Sequence, residues 1–292
     1  MSKIDAVVAL GFFDGVHKGH KQVLSLAKSL AKKLGCTAAA FTFSGNLRGK
    51  LSGGKCILSD AEKLSVLNNF GFTEIISAPI TDEFLSKSPE EFLKYVGGVY
   101  NVKGYVCGSD YRFGKNGAGD VNFLSEYCKN EGLTLSVTKT LNENGEKISS
   151  SKIKTLLASG EIKCANALLG YDYFITGSVF ADRKVGGKMG FPTANFKADA
   201  DKCELKNGVY AGYSFVNGEK YVAIINYGSR PTFNLNDKLI ETHLIGFSGN
   251  LYGKQITVCF TDFIRDIKKF NGEDDLKAQL VLDKKFAQEK VK

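Results

Sequence analysis

The chain has 292 residues, a formal net charge of +8 and 43% hydrophobic residues. This length suffices for two domains, and the composition is typical of a folded globular protein, so a disordered chain is not expected. The seven cysteines form no CxxC pair, and no stretch has the apolar length of a membrane span or the pattern of a secretory signal. We therefore expect a cytoplasmic protein with reduced thiols.

The positive charge is spread along the chain, because the lysines gather into neither an arm nor a stripe. This distribution argues against nucleic-acid binding and favours a general attraction of small anionic substrates. The oligomeric state stays open between a monomer and a weak homo-oligomer.

The first half of the chain alternates strand and helix patterns. Apolar runs predict strands at residues 7–10, 38–43, 72–80 and 104–107. Helices are predicted after the first strand as far as Gly35, from Ser59 with Glu62 as a capping box to Gly71, and from Ser88, Pro89 and Glu91 to Gly97. The alternation predicts a parallel, Rossmann-like sheet covered by helices, with a ligand at the carboxyl ends of its strands.

A glycine-rich loop joins the first strand to its helix in the segment ALGFFDGVHKGH, residues 9–20. Free backbone N–H groups at a helix N-terminus attract phosphate, and Gly11, Gly15 and Gly19 allow close approach of the backbone. His17 and His20, one turn apart, face the same side. Without a functional role, the two histidines would be part of a packed helix start or an incidental pair on the surface. A zinc site is disfavoured, because the remaining histidine is the distant His243 and no cysteine has the spacing of a metal ligand.

Two more loops of the first half carry polar candidates. The segment CGSDYRFGK, residues 107–115, follows a predicted strand and supplies Asp110 and Arg112. The segment ISSSKIK, residues 148–154, precedes a helix and supplies Ser150, Ser151 and Lys154. Hydroxyls, N–H groups and a cation at a helix start suit a triphosphate, although a plain serine N-cap would give the same pattern.

The second half has a different pattern, with short alternating segments separated by glycine turns. Strands are predicted at residues 174–180, 209–216, 220–226, 241–247 and 255–263, which indicates a small antiparallel β-barrel. Leu276, Leu280 and Phe286 predict one closing amphipathic helix. We place the linker at residues 167–173 and the domains at residues 1–170 and 171–292.

Four segments of the second half stand out: GGKMGFPTAN at residues 186–195, NYGSRPT at 226–232, IETHL at 240–244 and FIR at 263–265. By themselves, the Phe-Pro-Thr sequence indicates a strand-edge turn and Glu241 an exposed strand residue. No Walker A sequence is present, which excludes a P-loop kinase.

In this order, the motifs of both halves resemble the bacterial bifunctional riboflavin kinase/FAD synthetases over nearly the whole chain. The resemblance implies an N-terminal FMN adenylyltransferase domain of the nucleotidyltransferase fold and a C-terminal riboflavin kinase barrel. ATP would phosphorylate riboflavin to FMN with Mg²⁺, and a second ATP would adenylylate FMN to FAD and pyrophosphate.

The resemblance also implies roles for individual residues. The catalytic groups would be His17, His20 and Glu241, with Glu241 as the base of the kinase. Metal ligands would be Thr193 and Asn195, and flavin contacts Asn226 and Arg265. The nucleotide-binding set would be Gly11, Phe13, Asp14, Gly15, Gly19, Asp110, Arg112, Ser150, Ser151, Lys154, Gly187, Lys188, Gly190, Phe191 and Pro192.

Two positions depart from the family pattern. Lys154 replaces an arginine and loses the bidentate grip on phosphate, and Ser44-Gly45-Asn46-Leu47 replaces a Pro-His-Pro segment. Two alternatives therefore remain beside the bifunctional enzyme: a riboflavin kinase with a weakened adenylyltransferase domain, and a non-catalytic flavin-binding regulator.

Overall fold

The computed structural model describes residues 3–46, 49–50, 54–143, 145–180, 193–229 and 238–291. The chain forms two compact units, Met1–Ser150 and Ser151–Lys292. The boundary at residue 170 stays a prediction.

The first unit is built on a parallel sheet of order β3-β2-β1-β4-β5, as the alternation of strands and helices predicted. Its strands are β1 (Asp5–Leu10), β2 (Thr37–Ser44), β3 (Glu74–Pro79), β4 (Asn101–Gly108) and β5 (Thr134–Thr138), and β6 (Asn142–Glu143) pairs with β7 (Glu146–Lys147) in a separate hairpin. Its helices are α1 (Lys18–Leu34), α2 (Asp60–Asn69), α3 (Asp82–Leu85), α4 (Pro89–Val99) and α5 (Val121–Asn130).

Local sequence sets the ends of these helices. Ser59 with Glu62 and Ser88 with Glu91 form complete capping boxes, which satisfy N–H groups at the starts of α2 and α4. Gly35 ends α1 in the left-handed conformation at φ 64°. These signals are local, so the sequence predicted them.

The core of the first unit is aromatic on one side of the sheet. Phe41, Phe84, Phe92 and Phe113 pack with Tyr105 in one buried cluster. Burying each such side chain contributes roughly 1.5–3 kcal/mol. The cluster extends toward the carboxyl ends of β1, β2 and β4, where loops form the cavity described below.

The second unit contains an antiparallel sheet of order β8-β13-β10-β11-β12-β9, which confirms the predicted barrel. A bridge between Phe180 and Asn195 brings its two ends together. The strands are β8 (Phe174–Ser178), β9 (Ala194–Lys197), β10 (Gly208–Val216), β11 (Glu219–Ser229), β12 (Lys238–Leu244) and β13 (Gln255–Arg265); the helices are α6 (Ser150–Ser159), α7 (Ile162–Leu169) and α8 (Glu273–Lys290).

Two details of the second unit go beyond the sequence analysis. β9 is a strand of the barrel that was not predicted, and it follows the Phe-Pro-Thr sequence of residues 191–193, of which Phe191 and Pro192 lie outside the described residues. Helix α8 buries Asp283 and Ala287 most deeply, while the predicted stripe of Leu276, Leu280 and Phe286 is partly buried. Among the described residues, no helix has both the length and the apolar character required to cross a membrane.

Candidate active sites

The glycine-rich loop of the first unit is strained. Phe13 and Val16 have φ angles of 53° and 35°, in the left-handed region that side chains other than glycine rarely occupy. Gly15 lies at φ 77°, and a Cβ atom there would come within 2.7 Å of Ile57 Cδ1. Phe13 and Val16 are also buried, so packing holds the loop in a conformation of the kind that clusters at functional sites.

The two histidines of the loop stack on each other. Their ring centroids are 3.6 Å apart and the planes differ by 16°. His17 is the N-cap of α1, and its Nδ1 accepts a hydrogen bond of 3.3 Å from the backbone N–H of His20. The neutral ring therefore carries its proton on Nε2.

Burial lowers the pKa of His17 to about 4, against an opposing influence from the nearby Asp14 carboxylate. At neutral pH His17 is thus an uncharged imidazole that donates from Nε2. The edge of the His20 ring faces Phe13 at 5.5 Å between centroids, so both imidazoles are fixed by aromatic neighbours.

A cavity of about 660 Å³ opens in front of the histidines. Of the predicted residues, it brings together Gly11, Phe13, His17, Gly19, His20, Asp110, Arg112 and Ser150. The cavity therefore includes a helix N-terminus, imidazoles and polar side chains, groups that are suited to phosphate.

The cavity also has aromatic walls, which the sequence analysis did not select. These walls are Phe12, Phe43, Phe84, Phe92, Tyr111 and Phe113. They come from the glycine-rich loop, β2, α3, α4 and the loop after β4, so only the folded chain assembles them. The available signal was position, because Phe12, Phe43, Tyr111 and Phe113 lie at or just after the carboxyl ends of β1, β2 and β4.

Asp14 and Ser150 support the loop. The Oδ1 atom of Asp14 accepts the N–H of Ile57 at 2.7 Å, and the Ser150 hydroxyl donates to the carbonyl oxygen of Asp14 at 2.9 Å. Asp14 is 3% exposed and Ser150 7%. These buried contacts hold the loop conformation on the side away from solvent.

Two charged candidates lie at the cavity rim. Asp110 pairs with Lys147 at 2.5 Å, and this hydrogen bond lowers the pKa of the carboxyl group. Arg112 is exposed, and its Nη1 atom lies 3.8 Å from Oδ2 of Asp120. Lys147 also lines the cavity, and the sequence analysis did not select it.

Several predicted residues do not belong to this cavity as described. Ser151 and Lys154 fall in the second unit. Gly187, Lys188, Gly190, Phe191 and Pro192 lie outside the described residues, as does Leu47 of the departing segment.

A row of polar side chains crosses three strands of the barrel. The register pairs Asn195 of β9 with Glu241 of β12, and Glu241 with Asn226 of β11. Directly paired residues of antiparallel strands share a face, with Cβ atoms about 5 Å apart. Three residues from distant parts of the sequence thus form one cluster, in which Asn226 Nδ2 contacts Glu241 Oε2 at 3.5 Å.

The two amides of this row have buried oxygen atoms. Within the described part of the chain, Asn195 Oδ1 and Asn226 Oδ1 accept no hydrogen bond although both atoms are shielded from solvent. A buried polar atom without a partner costs about 1–3 kcal/mol. Such oxygens are suited to a donor group or a hard cation.

Arg265 extends the same row. Val209 of β10 pairs with both Asn226 and Arg265, so the arginine lies on the face that carries Glu241. Its guanidinium forms bonds of 2.7–3.1 Å with the buried carboxylate of Asp283 in α8. The arginine therefore holds the terminal helix; a flavin contact stays a prediction.

The two units together define a class of protein. A cavity suited to phosphate at the carboxyl edge of a parallel sheet, and a carboxylate between two amides on a barrel, are typical of a two-site enzyme of phosphate transfer. A fold comparison agrees with this organisation: a solved structure described as a macrolide-efflux protein from Streptococcus pneumoniae superposes with a TM-score of 0.87 at 28% identity, over 99% of this chain and 95% of that one.

Sequence comparisons give the family. The FAD synthetase family model matches residues 1–152 and the riboflavin kinase model residues 169–291. A bifunctional riboflavin kinase/FMN adenylyltransferase of Bacillus subtilis is 36% identical over 97% of this chain and 91% of its own length, and one of Listeria monocytogenes is 34% identical over 96% and 90%. The chain belongs to the family of bifunctional riboflavin kinase/FMN adenylyltransferases.

Proposed function

We propose that the cavity of the first unit binds ATP beside FMN and joins them. An oxygen of the FMN phosphate attacks the α-phosphorus of ATP, a new P–O–P bond forms, and the bond to the β-phosphate breaks to release pyrophosphate. The product is FAD.

The polar groups of the cavity, at the N-terminus of α1, support this assignment. The N-terminus of α1 directs backbone N–H groups and a partial positive charge at any anion there. His17, uncharged at neutral pH, supplies an Nε2–H donor, and the stacked His20 supplies a second imidazole. Fixed donors aimed at developing charge are the main source of stabilisation in such transfers.

The aromatic walls support FMN as the acceptor. Phe12, Phe43, Phe84 and Tyr111 offer flat apolar surfaces, which suit the three fused rings of a flavin. A cavity that combines groups suited to phosphate with aromatic walls matches a molecule that has a phosphate and a flat ring system.

We propose that the barrel of the second unit carries the kinase reaction, with Glu241 as general base. The 5'-hydroxyl of riboflavin is protonated at neutral pH, so a carboxylate must accept its proton as the oxygen attacks the γ-phosphorus of ATP. ADP leaves with the electrons of the broken bond. Asn226, paired with Glu241, orients that carboxylate.

Mg²⁺ fits the donor set beside Glu241. Asn195 Oδ1 is buried and accepts no hydrogen bond from the described residues, and Thr193 lies two positions earlier. Hydroxyl and amide oxygens are ligands that Mg²⁺ accepts together with phosphate oxygens and water. Bound there, the ion would supply charge neutralisation on the phosphates of ATP.

We further propose that the protein acts in the cytoplasm on ATP and flavins, without a nucleic-acid partner, because its lysines are spread along the chain and not gathered into one patch.

Product chromatography of a His20→Ala variant tests the assignment of the cavity. Purified protein is incubated with riboflavin, ATP and MgCl₂, and riboflavin, FMN and FAD are separated over time. We expect FAD formation to fall by roughly 10²–10³-fold, as for loss of one transition-state donor, while FMN still appears. Lys33→Ala, on the exposed far end of α1, is the matched control. FAD formation by His20→Ala at the parent rate would contradict the assignment.

A further inference from the structure

A buried lysine lies behind the cavity of the first unit. Lys63, in the first turn of α2, is 3% exposed. Its Nζ atom donates a hydrogen bond of 2.6 Å to the Phe43 carbonyl, lies 3.4 Å from Asp60 Oδ1, and sits over the Phe12 ring at 4.8 Å from the centroid. One ammonium group thus contacts a helix, a strand and the glycine-rich loop.

The contacts of Lys63 meet at two walls of the cavity. Phe12 and Phe43 both line it, and the Thr42 hydroxyl donates to the Phe12 carbonyl at 2.8 Å. Asp60 accepts a hydrogen bond from the Gly45 N–H. Lys63 and Asp60 therefore hold the backbone on both sides of Ser44.

Burying an ammonium group is unfavourable, and desolvation lowers the pKa of Lys63 despite the opposing effect of Asp60. An apolar side chain of similar length would fill the space without that cost. The ammonium group adds two directional contacts that an apolar side chain lacks: it donates to the Phe43 carbonyl and lies over the Phe12 ring.

We propose that Lys63, paired with Asp60, is a positioning residue for FMN in the adenylylation site, fixing the aromatic walls Phe12 and Phe43 from behind. This inference rests on the proposed function of the cavity. Lys63 does not line the cavity, so its effect on flavin is transmitted through these two rings.

Steady-state kinetics of a Lys63→Met variant test this role. With FMN and ATP varied separately, we expect KM for FMN to rise about tenfold and kcat/KM for FMN to fall roughly 10–100-fold, the scale of a misplaced substrate. We expect KM for ATP to change by less than about twofold, because the backbone N–H groups and histidines at the N-terminus of α1 are unchanged. Lys63→Arg, which keeps a cation and a donor, recovers most of the loss.

The second unit offers a matched control. Lys202 is also 3% exposed, donates to the Phe174 carbonyl at 3.1 Å and sits 4.9 Å from the Tyr173 ring centroid. Lys202→Met should leave KM for FMN in FAD formation unchanged. Riboflavin phosphorylation by Lys63→Met, measured on the same preparation, reports whether the rest of the chain is folded.

A KM for FMN within about twofold of the parent, or a fall in kcat with no change in either KM, would overturn the positioning role. If Lys63→Met does not fold, Asp60→Asn tests the same role. This variant keeps an acceptor for the Gly45 N–H and removes the charge beside Lys63. An unchanged KM for FMN in Asp60→Asn would also overturn the proposal. Failure of the proposed function itself is distinguishable, since His20→Ala would then form FAD at the parent rate.

Discussion

The two units present different groups at their proposed phosphate sites. The first presents backbone N–H groups and two stacked imidazoles at a helix N-terminus, and the nearby carboxylate of Asp14 holds Ile57. The second presents the carboxylate of Glu241 between two amides on a sheet. The protonation state of the nucleophile accounts for the difference.

In the first unit the proposed nucleophile is the phosphate of FMN, which is already an anion at neutral pH. It needs donors that reduce repulsion between two phosphates, and it needs no base. In the second unit the proposed nucleophile is an alcohol, which must lose a proton as it attacks. Only the second unit therefore needs a base.

The largest effect is expected from removing that base. Glu241→Gln keeps the shape of the side chain and its place opposite Asn226, but cannot accept the proton. FMN formation should fall by roughly 10²–10⁴-fold, while FAD formation from supplied FMN continues. The initial rates of FMN and FAD formation measure the two effects, with the exposed Glu219→Gln as the control. Equal loss of both activities would contradict a base that serves the second unit alone.

A smaller effect is expected from the support of the barrel face. Asp283 is 1% exposed and binds Arg265 through three hydrogen bonds. Asp283→Ala leaves a buried guanidinium without its carboxylate and should lower the free energy of unfolding of the second unit by about 3–5 kcal/mol.

Asp266→Ala is the matched control, because Asp266 pairs with Lys206 on the exposed surface, and such pairs contribute at most about 1 kcal/mol. Urea unfolding followed by loss of riboflavin kinase activity measures both variants. Equal midpoints for the two variants would show that the Asp283 pair does not hold α8.

The smallest expected effect concerns His17, whose burial lowers its pKa to about 4 from 6.5. The unfolded chain takes up a proton near pH 6.5 and the folded chain does not. Stability conferred by neutral His17 is therefore complete above pH 6.5 and decreases by about 3 kcal/mol as the pH falls to 4.

Proton NMR measures this pKa directly, since the chain has three histidines and His17→Gln identifies the resonance. We expect a titration midpoint near pH 4 that rises when ATP is added, because bound phosphate favours the protonated ring. A midpoint near 6.5 in the free protein would contradict the account of a neutral donor.

The sequence predicted what depends on local pattern. The capping boxes of Ser59 and Ser88 and the αL glycine at Gly35 predicted the ends of helices. The alternation of strand and helix patterns predicted the parallel sheet, and the short alternating apolar segments predicted the barrel. The resemblance to the family supplied the pairing of two activities, which the comparisons confirm.

Residues brought together by tertiary structure were not predictable in this way. Lys63 resembles any other lysine of a helix in the sequence, and only the fold places it between Phe12 and Phe43. The row of Asn195, Glu241 and Asn226 depends on strand register, which no local pattern sets. Asp283 lies on the face of α8 that an apolar stripe should occupy, so charge pattern alone would assign it to solvent.

Mixing two single-site variants shows whether the two units carry separate reactions. His20→Ala should convert riboflavin to FMN without completing FAD, and Glu241→Gln should convert FMN to FAD without making FMN. Neither alone should yield FAD from riboflavin, ATP and MgCl₂, and an equimolar mixture should restore it, as measured by chromatography over time. A mixture that still makes no FAD would contradict two separable sites, one in each unit.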